Sequence, residues 1–219
     1  MRSSRRSLGA RAVPGPRAGI ASAAIAVLLL CSLAPAGCRS SPVTPAIGAE
    51  QRAFWQALRA LCGNAYAGRV VQDTTGDPRF KVQPMVMHVR ECGEAQVRIP
   101  FHVGGDGSRT WVLTRTATGL RLKHDHRHQD GSEDTITQYG GDTRSPGTAS
   151  AQDFYADAHT ASLIPAAATN VWTVEVIPGQ RFAYALRREG TDRRFRAEFD
   201  LTRAVTPPPP PWGATAGNP

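Results

Sequence analysis

Residues 181–201, RFAYALRREGTDRRFRAEFDL, decide how the rest of this chain is read. Phe182, Tyr184 and Leu186 alternate with Arg181, Ala183, Ala185 and Arg187. After the turn Gly190-Thr191-Asp192, Phe195, Ala197, Phe199 and Leu201 alternate with Arg194, Arg196, Glu198 and Asp200. A period of two sends successive side chains to opposite faces, so each run predicts a strand with one buried and one wet face. The short glycine-containing connection predicts that the two strands are antiparallel neighbours.

The same pattern recurs upstream. Val97, Ile99, Phe101 and Val103 alternate with Gln96, Arg98 and His102, and Trp172, Val174 and Val176 form another inward row. Further strands are expected at 68–72, 84–92, 109–115, 119–128, 134–139 and 170–177. Most connections are brief and turn-like: Gly93-Glu94, Gly104-Gly105-Asp106-Gly107, Asp130-Gly131 and Pro178-Gly179. Eight or nine consecutive strands joined this way predict a mainly β domain over 50–205, an antiparallel meander closing into a barrel. Closure removes the exposed edges that an open sheet would carry. A two-sheet sandwich is the structural alternative. One helix precedes the strands, because Phe54, Trp55, Leu58 and Leu61 recur at helical spacing and Cys62-Gly63 supplies a stop. One connection is long. Residues 140–169 carry no strand pattern and are expected either to fold Phe154, Tyr155, Leu163 and Ile164 back as a plug or lid, or to make a surface excursion.

The first 37 residues read as an export signal: Arg2, Arg5, Arg6, Arg11 and Arg17, an apolar run of about 11 residues from Ile20 to Leu30, then Leu33-Ala34-Pro35-Ala36-Gly37-Cys38. That run is shorter than the ~20 residues a membrane-spanning helix needs. The cut site resembles the lipobox of bacterial lipoproteins, which implies lipidation of Cys38 and a membrane anchor. Pro35 stands where an aliphatic residue is usual, so plain cleavage and a soluble periplasmic or secreted product is the alternative. Arg39 and Ser40 after the cysteine imply the periplasmic face of a Gram-negative outer membrane. Ser4-Arg5-Arg6-Ser7-Leu8 also resembles a twin-arginine motif, although paired arginines are ordinary in basic leaders. Residues 38–49, with Pro42, Pro45 and Gly48, read as a flexible tether, and 206–219, with Pro207 to Pro211, as a proline-rich disordered tail.

Loss of the leader removes five arginines and no acid, so the net charge falls from +8 to +3. With no basic cluster interleaved with aromatics, nucleic acid is not an expected partner. Cys31 leaves with the leader and Cys38 takes lipid. Cys62 and Cys92 remain, an even pair in an oxidising compartment, which predicts a disulfide closing a loop of about 30 residues. Two buried thiols or a metal pair are the alternatives.

Chemistry is best placed at Leu120-Arg121-Leu122-Lys123-His124-Asp125-His126-Arg127-His128. In one strand Leu120, Leu122, His124, His126 and His128 share a face, and the leucines mark it as inward. Same-face neighbours lie roughly 6.5–7 Å apart, so imidazoles there can converge on a divalent metal such as zinc or copper, or offer haem an axial ligand. Alternatively the strand tip emerges into the Asp130-Gly131 turn and its histidines are simply solvated. No nucleophile elbow, phosphate loop, HExxH or dinucleotide fingerprint occurs.

Phe54-Trp55-Gln56-Ala57-Leu58-Arg59-Ala60-Leu61-Cys62-Gly63, Lys123-His124-Asp125-His126-Arg127-His128 through Tyr139-Gly140-Gly141, and Asn170-Val171-Trp172 resemble a family of uncharacterised secreted or lipid-anchored bacterial proteins, over roughly 52–205. That resemblance implies no activity. At fold level, Tyr66-Ala67-Gly68-Arg69-Val70 followed by a meander resembles the calycin barrels, lipocalins included. The expectation is therefore a non-enzymatic envelope protein whose barrel binds a small apolar or haem-like ligand. The alternatives are a metal-binding protein using His124, His126 and His128, or a structural envelope factor acting through protein contacts.

Overall fold

The computed structural model describes residues 47–214 except 77, 79, 81 and 82, so the leader, Cys38 and most of the tether lie outside the described residues. Helix α1 (Ala49–Arg59) comes first. Strands β1 (Ala65–Asp73), β2 (Met85–His88), β3 (Glu91–Cys92), β4 (Gln96–Val103), β5 (Asp106–Arg115), β6 (Leu120–His126), β7 (Tyr139–Thr143) and β8 (Ala151–Ala156) follow. A short helix α2 (Ala158–Leu163) and a 3₁₀ turn (Pro165–Ala167) lead to β9 (Asn170–Ile177), β10 (Arg181–Arg188) and β11 (Arg194–Val205). Every pairing is antiparallel. Strands β4 to β11 form a continuous meander, β11 pairs with β1, β1 with β2, and β2 returns to β4. Ten strands thus close a barrel, and β3 adds a short eleventh that pairs with β4 alone.

The inward rows are the ones the alternation specifies. Val97, Ile99 and Phe101 of β4, Trp172, Val174 and Val176 of β9, and Phe182 and Tyr184 of β10 are all buried in one core. A ten-stranded barrel is wider than an eight-stranded one, and its own side chains do not fill it. Helix α1 supplies the difference, adding Phe54, Trp55 and Leu58 to the same core. It sits at the barrel end where β7 finishes and β8 begins: Gln51 Nε2 donates to Thr143 Oγ1 at 3.0 Å and to Ser145 O at 3.3 Å. Just after the helix, Cys62 is bonded to Cys92 of β3, fixing it to that end. In the chain-entropy picture a 30-residue closure contributes roughly 3.6 kcal/mol.

The strand count corrects the expected eight or nine. The segment 140–169 is neither lid nor plug: it contains most of β7, all of β8 and α2. Phe154 enters the core from within β8, and Tyr155 faces outward beneath the Arg144 guanidinium at 4.5 Å. Residues 134–138 are irregular, and the strand expected at 84–92 is broken into β2 and β3. Part of the proline-rich tail, 206–214, falls within the described residues. Pro211 is buried, and the Trp212 N–H donates to Gly107 O at 3.1 Å, so residues up to 214 lie against the outer wall as a strap. Under it His102, expected on a wet face, is only 6% exposed.

Candidate functional site

With α1 closing one end, the opposite end is where β5, β7 and β11 start and β6 and β10 finish. Strand β6 carries Leu120, Leu122 and His124 inward, all buried, as the leucines indicate. Register sets the rest: His124 lies beside Trp111 of β5 on one side and Tyr139 of β7 on the other. The His124 ring stacks on Tyr139 with centroids 4.4 Å apart, and Tyr184 meets its edge from across the barrel at 5.7 Å. Phe101, Trp111 and Tyr184 form a second stack, with centroid separations of 4.8 and 4.5 Å. An aromatic floor therefore crosses the barrel below its mouth.

The hydrogen bonds fix the state of His124. Its Nδ1 is 3.0 Å from the Tyr139 carbonyl, which can only accept, so Nδ1 carries the proton. Its Nε2 then accepts from the Tyr184 hydroxyl at 2.7 Å. Burial pushes the imidazole pKa down to about 3, although the hydrogen bond to Tyr139 opposes this. Burial also raises the Tyr139 phenol to about 12 and lifts Tyr184 well above the ordinary tyrosine range. The floor is thus a neutral, fully satisfied polar relay set in aromatic surface.

His126 lies one step nearer the mouth, half-buried, with Nε2 3.1 Å from the Tyr139 hydroxyl. Its pKa is lowered first by burial and then by Arg109. His128 does not join them. Strand β6 ends at His126, the His128 carbonyl accepts from Gly131 N–H, and the side chain is exposed. Among the described residues no group of three His, Cys, Asp or Glu is placed to hold a metal ion. The inward geometry applies to two of the three histidines, and their ring nitrogens largely serve the tyrosines.

Above the floor is a hollow of about 320 Å³. Its walls are Phe101, Trp111, Tyr139 and Tyr184 below, with Leu186, Phe195, Phe80 and Thr75 on one side. Arg109, at the start of β5, and Arg193, just before β11, stand at the rim. That size is at the lower end of small-molecule pockets, and mostly aromatic walls with a few polar groups are what such pockets need. The tyrosines, both arginines, Thr75 and Phe80 carry no site signal in the sequence. They come from strands far apart in the chain, and only barrel closure brings them together.

Other hollows have a different character. One of about 250 Å³ lies under the strap, where buried Asp125 binds Arg98 Nη2 at 2.6 Å and Arg127 Nε at 2.9 Å. Its charges largely answer one another, so it reads as the joint that seats Trp212. Another of about 550 Å³ borders α1 beside Arg52, Arg59 and Arg115, outside the barrel interior. Comparison with protein families, curated proteins and solved structures finds no match for this chain.

Proposed function

We propose that this protein is a non-enzymatic binder of a small apolar, planar ligand, which enters the open end of the barrel and rests on the aromatic floor. The observation that carries this reading is the contrast between the two ends. One is filled by Phe54, Trp55 and Leu58, and the other leaves about 320 Å³ over Trp111 and Tyr184. Flat aromatic surface rewards a flat ligand, because offset stacking adds about 0.5–1.5 kcal/mol per ring pair to plain burial. The closed meander with an internal site supports a calycin-like arrangement. Haem fits less well, since His124 Nε2 is occupied by Tyr184 and His126 Nε2 faces the Tyr139 hydroxyl. The basic leader and Cys38 support a location on the Gram-negative envelope, anchored by lipid or released into the periplasm.

The test uses N-phenyl-1-naphthylamine, a neutral aromatic probe that brightens in apolar surroundings. Titration is expected to give saturable enhancement together with quenching of tryptophan emission. Leu186→Trp, which fills the hollow from β10, is expected to weaken binding about tenfold or more, a difference of at least ~1.4 kcal/mol. Absence of saturable binding, or equal binding by Leu186→Trp, overturns the reading.

A further inference from the structure

The rim holds an unanswered charge. Arg193 lines the hollow, and its Nε is buried with no hydrogen-bond partner. Among the described residues no carboxylate lies within ion-pair distance of its guanidinium, whereas Arg187 and Arg196 on either side pair with Asp153 and Glu175. A buried N–H without a partner is costly, and most buried donors in folded proteins are satisfied. The position is firmly held, because the Arg193 carbonyl accepts from the Arg188 N–H across the β10–β11 turn. The orphaned donor is thus a feature of a well-fixed turn.

Arg109 faces the same hollow from β5, directly opposite His126 in register. Its Nη1 binds Asp106 Oδ2 at 2.6 Å, so Asp106 answers Arg109 and leaves Arg193 unpaired. His126 adds no charge at neutral pH, since burial lowers its pKa. Asp134 acts on this region from a half-exposed position, but its Oδ1 is engaged by the Ile136 N–H at 2.9 Å and the Thr135 hydroxyl at 3.3 Å. The mouth of an aromatic pocket therefore carries a guanidinium, that of Arg193, which no described carboxylate engages, a geometry suited to an anionic oxygen group.

We propose that the pocket selects ligands bearing an anionic oxygen group, a carboxylate or sulfonate, which Arg193 binds with support from Arg109 while the planar body lies on Trp111 and Tyr184. This rests on the ligand-binding reading above and adds the chemical class of the ligand.

A matched pair of probes separates the two claims. 1-Anilinonaphthalene-8-sulfonate has the same aromatic body as N-phenyl-1-naphthylamine with a sulfonate added. The full mature chain is expected to bind the sulfonate more tightly at low salt, with the advantage shrinking as salt rises. Arg193→Gln is expected to weaken the sulfonate about tenfold relative to the neutral probe, with far-UV circular dichroism showing that the variant is folded. Arg109→Gln is expected to give a smaller loss, because Asp106 already draws on that guanidinium. If Arg193→Gln binds the sulfonate as tightly as the parent while the neutral probe still saturates, the anion proposal is overturned and the pocket reading stands. If neither probe saturates, both fall.

Discussion

Gly141→Ala is expected to destabilise the barrel by at least about 3 kcal/mol, enough to leave the domain unfolded at modest denaturant concentrations. A Cβ at Gly141 would land inside the carbonyl oxygen of Tyr155, well within contact distance, with the backbone of Asp157 3.0 Å away. The obstruction is β8 itself, so no side-chain rotation relieves it. Gly140 before it has φ 146° and would drive a Cβ into the Leu122 carbonyl of β6. This glycine pair lets β7 run between β6 and β8 at close approach, and Thr160 of α2 clamps it by exchanging hydrogen bonds of 2.7 Å with Gly140 N and O. Gly105→Ala is the control, since nothing lies within 4 Å of its added methyl. It is expected to change stability by less than about 0.5 kcal/mol. Urea denaturation of the three proteins measures both effects.

The second large effect is acid lability traced to His124. Its folded pKa is depressed to about 3 by burial, whereas an unfolded imidazole titrates near 6.5. Between those values the unfolded chain binds a proton that the folded chain refuses. Stability from this group is therefore intact above about pH 6.5 and declines as pH falls toward 3. One proton corresponds to a slope of up to about 1.4 kcal/mol per pH unit, and the whole window to a loss on the order of 5 kcal/mol. Depressed carboxylates such as Asp106, Asp157 and Glu175 add to acid sensitivity lower in the range, so a variant is needed to isolate the histidine. His124→Gln can still donate to Tyr139 O and accept from Tyr184 but cannot take up a proton. Its stability is expected to be lower than the parent's at pH 7 and to vary less between pH 6.5 and 4.5. Parallel curves through that interval contradict the assignment.

Much of the fold was legible because burial on one face imposes a period of two. Strands β4, β9, β10 and β11 follow the rows built on Val97, Trp172, Phe182 and Phe195. What escaped did so for physical reasons. Gly140 and Gly141 read as a strand break, yet close packing of β7 against its neighbours is what requires them. The inward row of β8 is Gln152, Phe154 and Ala156, and Gln152, only 1% exposed, breaks the apolar pattern: its Nε2 donates to Pro146 O and Thr148 O, while its Oε1 is buried without a partner. Prolines donate no backbone hydrogen bond, so 207–211 read as free chain. The docking comes from Trp212 and from glycines at 107 and 131 that let it approach.

The site was half legible. Leu120 and Leu122 placed His124 inward correctly, and His126 remains at the mouth. His128 is lost because the ladder ends where Thr137 Oγ1 accepts the His126 N–H at 2.8 Å and the Asp130-Gly131 turn takes over. That His124 is hydrogen-bonded to Tyr139 and Tyr184 could not be read from β6, because those residues are 15 and 60 residues away in sequence.

The most direct test of an open mouth opposite a plugged end is a methyl-resolved NMR titration with N-phenyl-1-naphthylamine. Leu186 methyl resonances are expected to shift progressively and saturate, while those of Leu58, on the helix that plugs the other end, stay in place. Shifts at Leu58 with Leu186 unmoved would put the ligand at the wrong end and contradict the account.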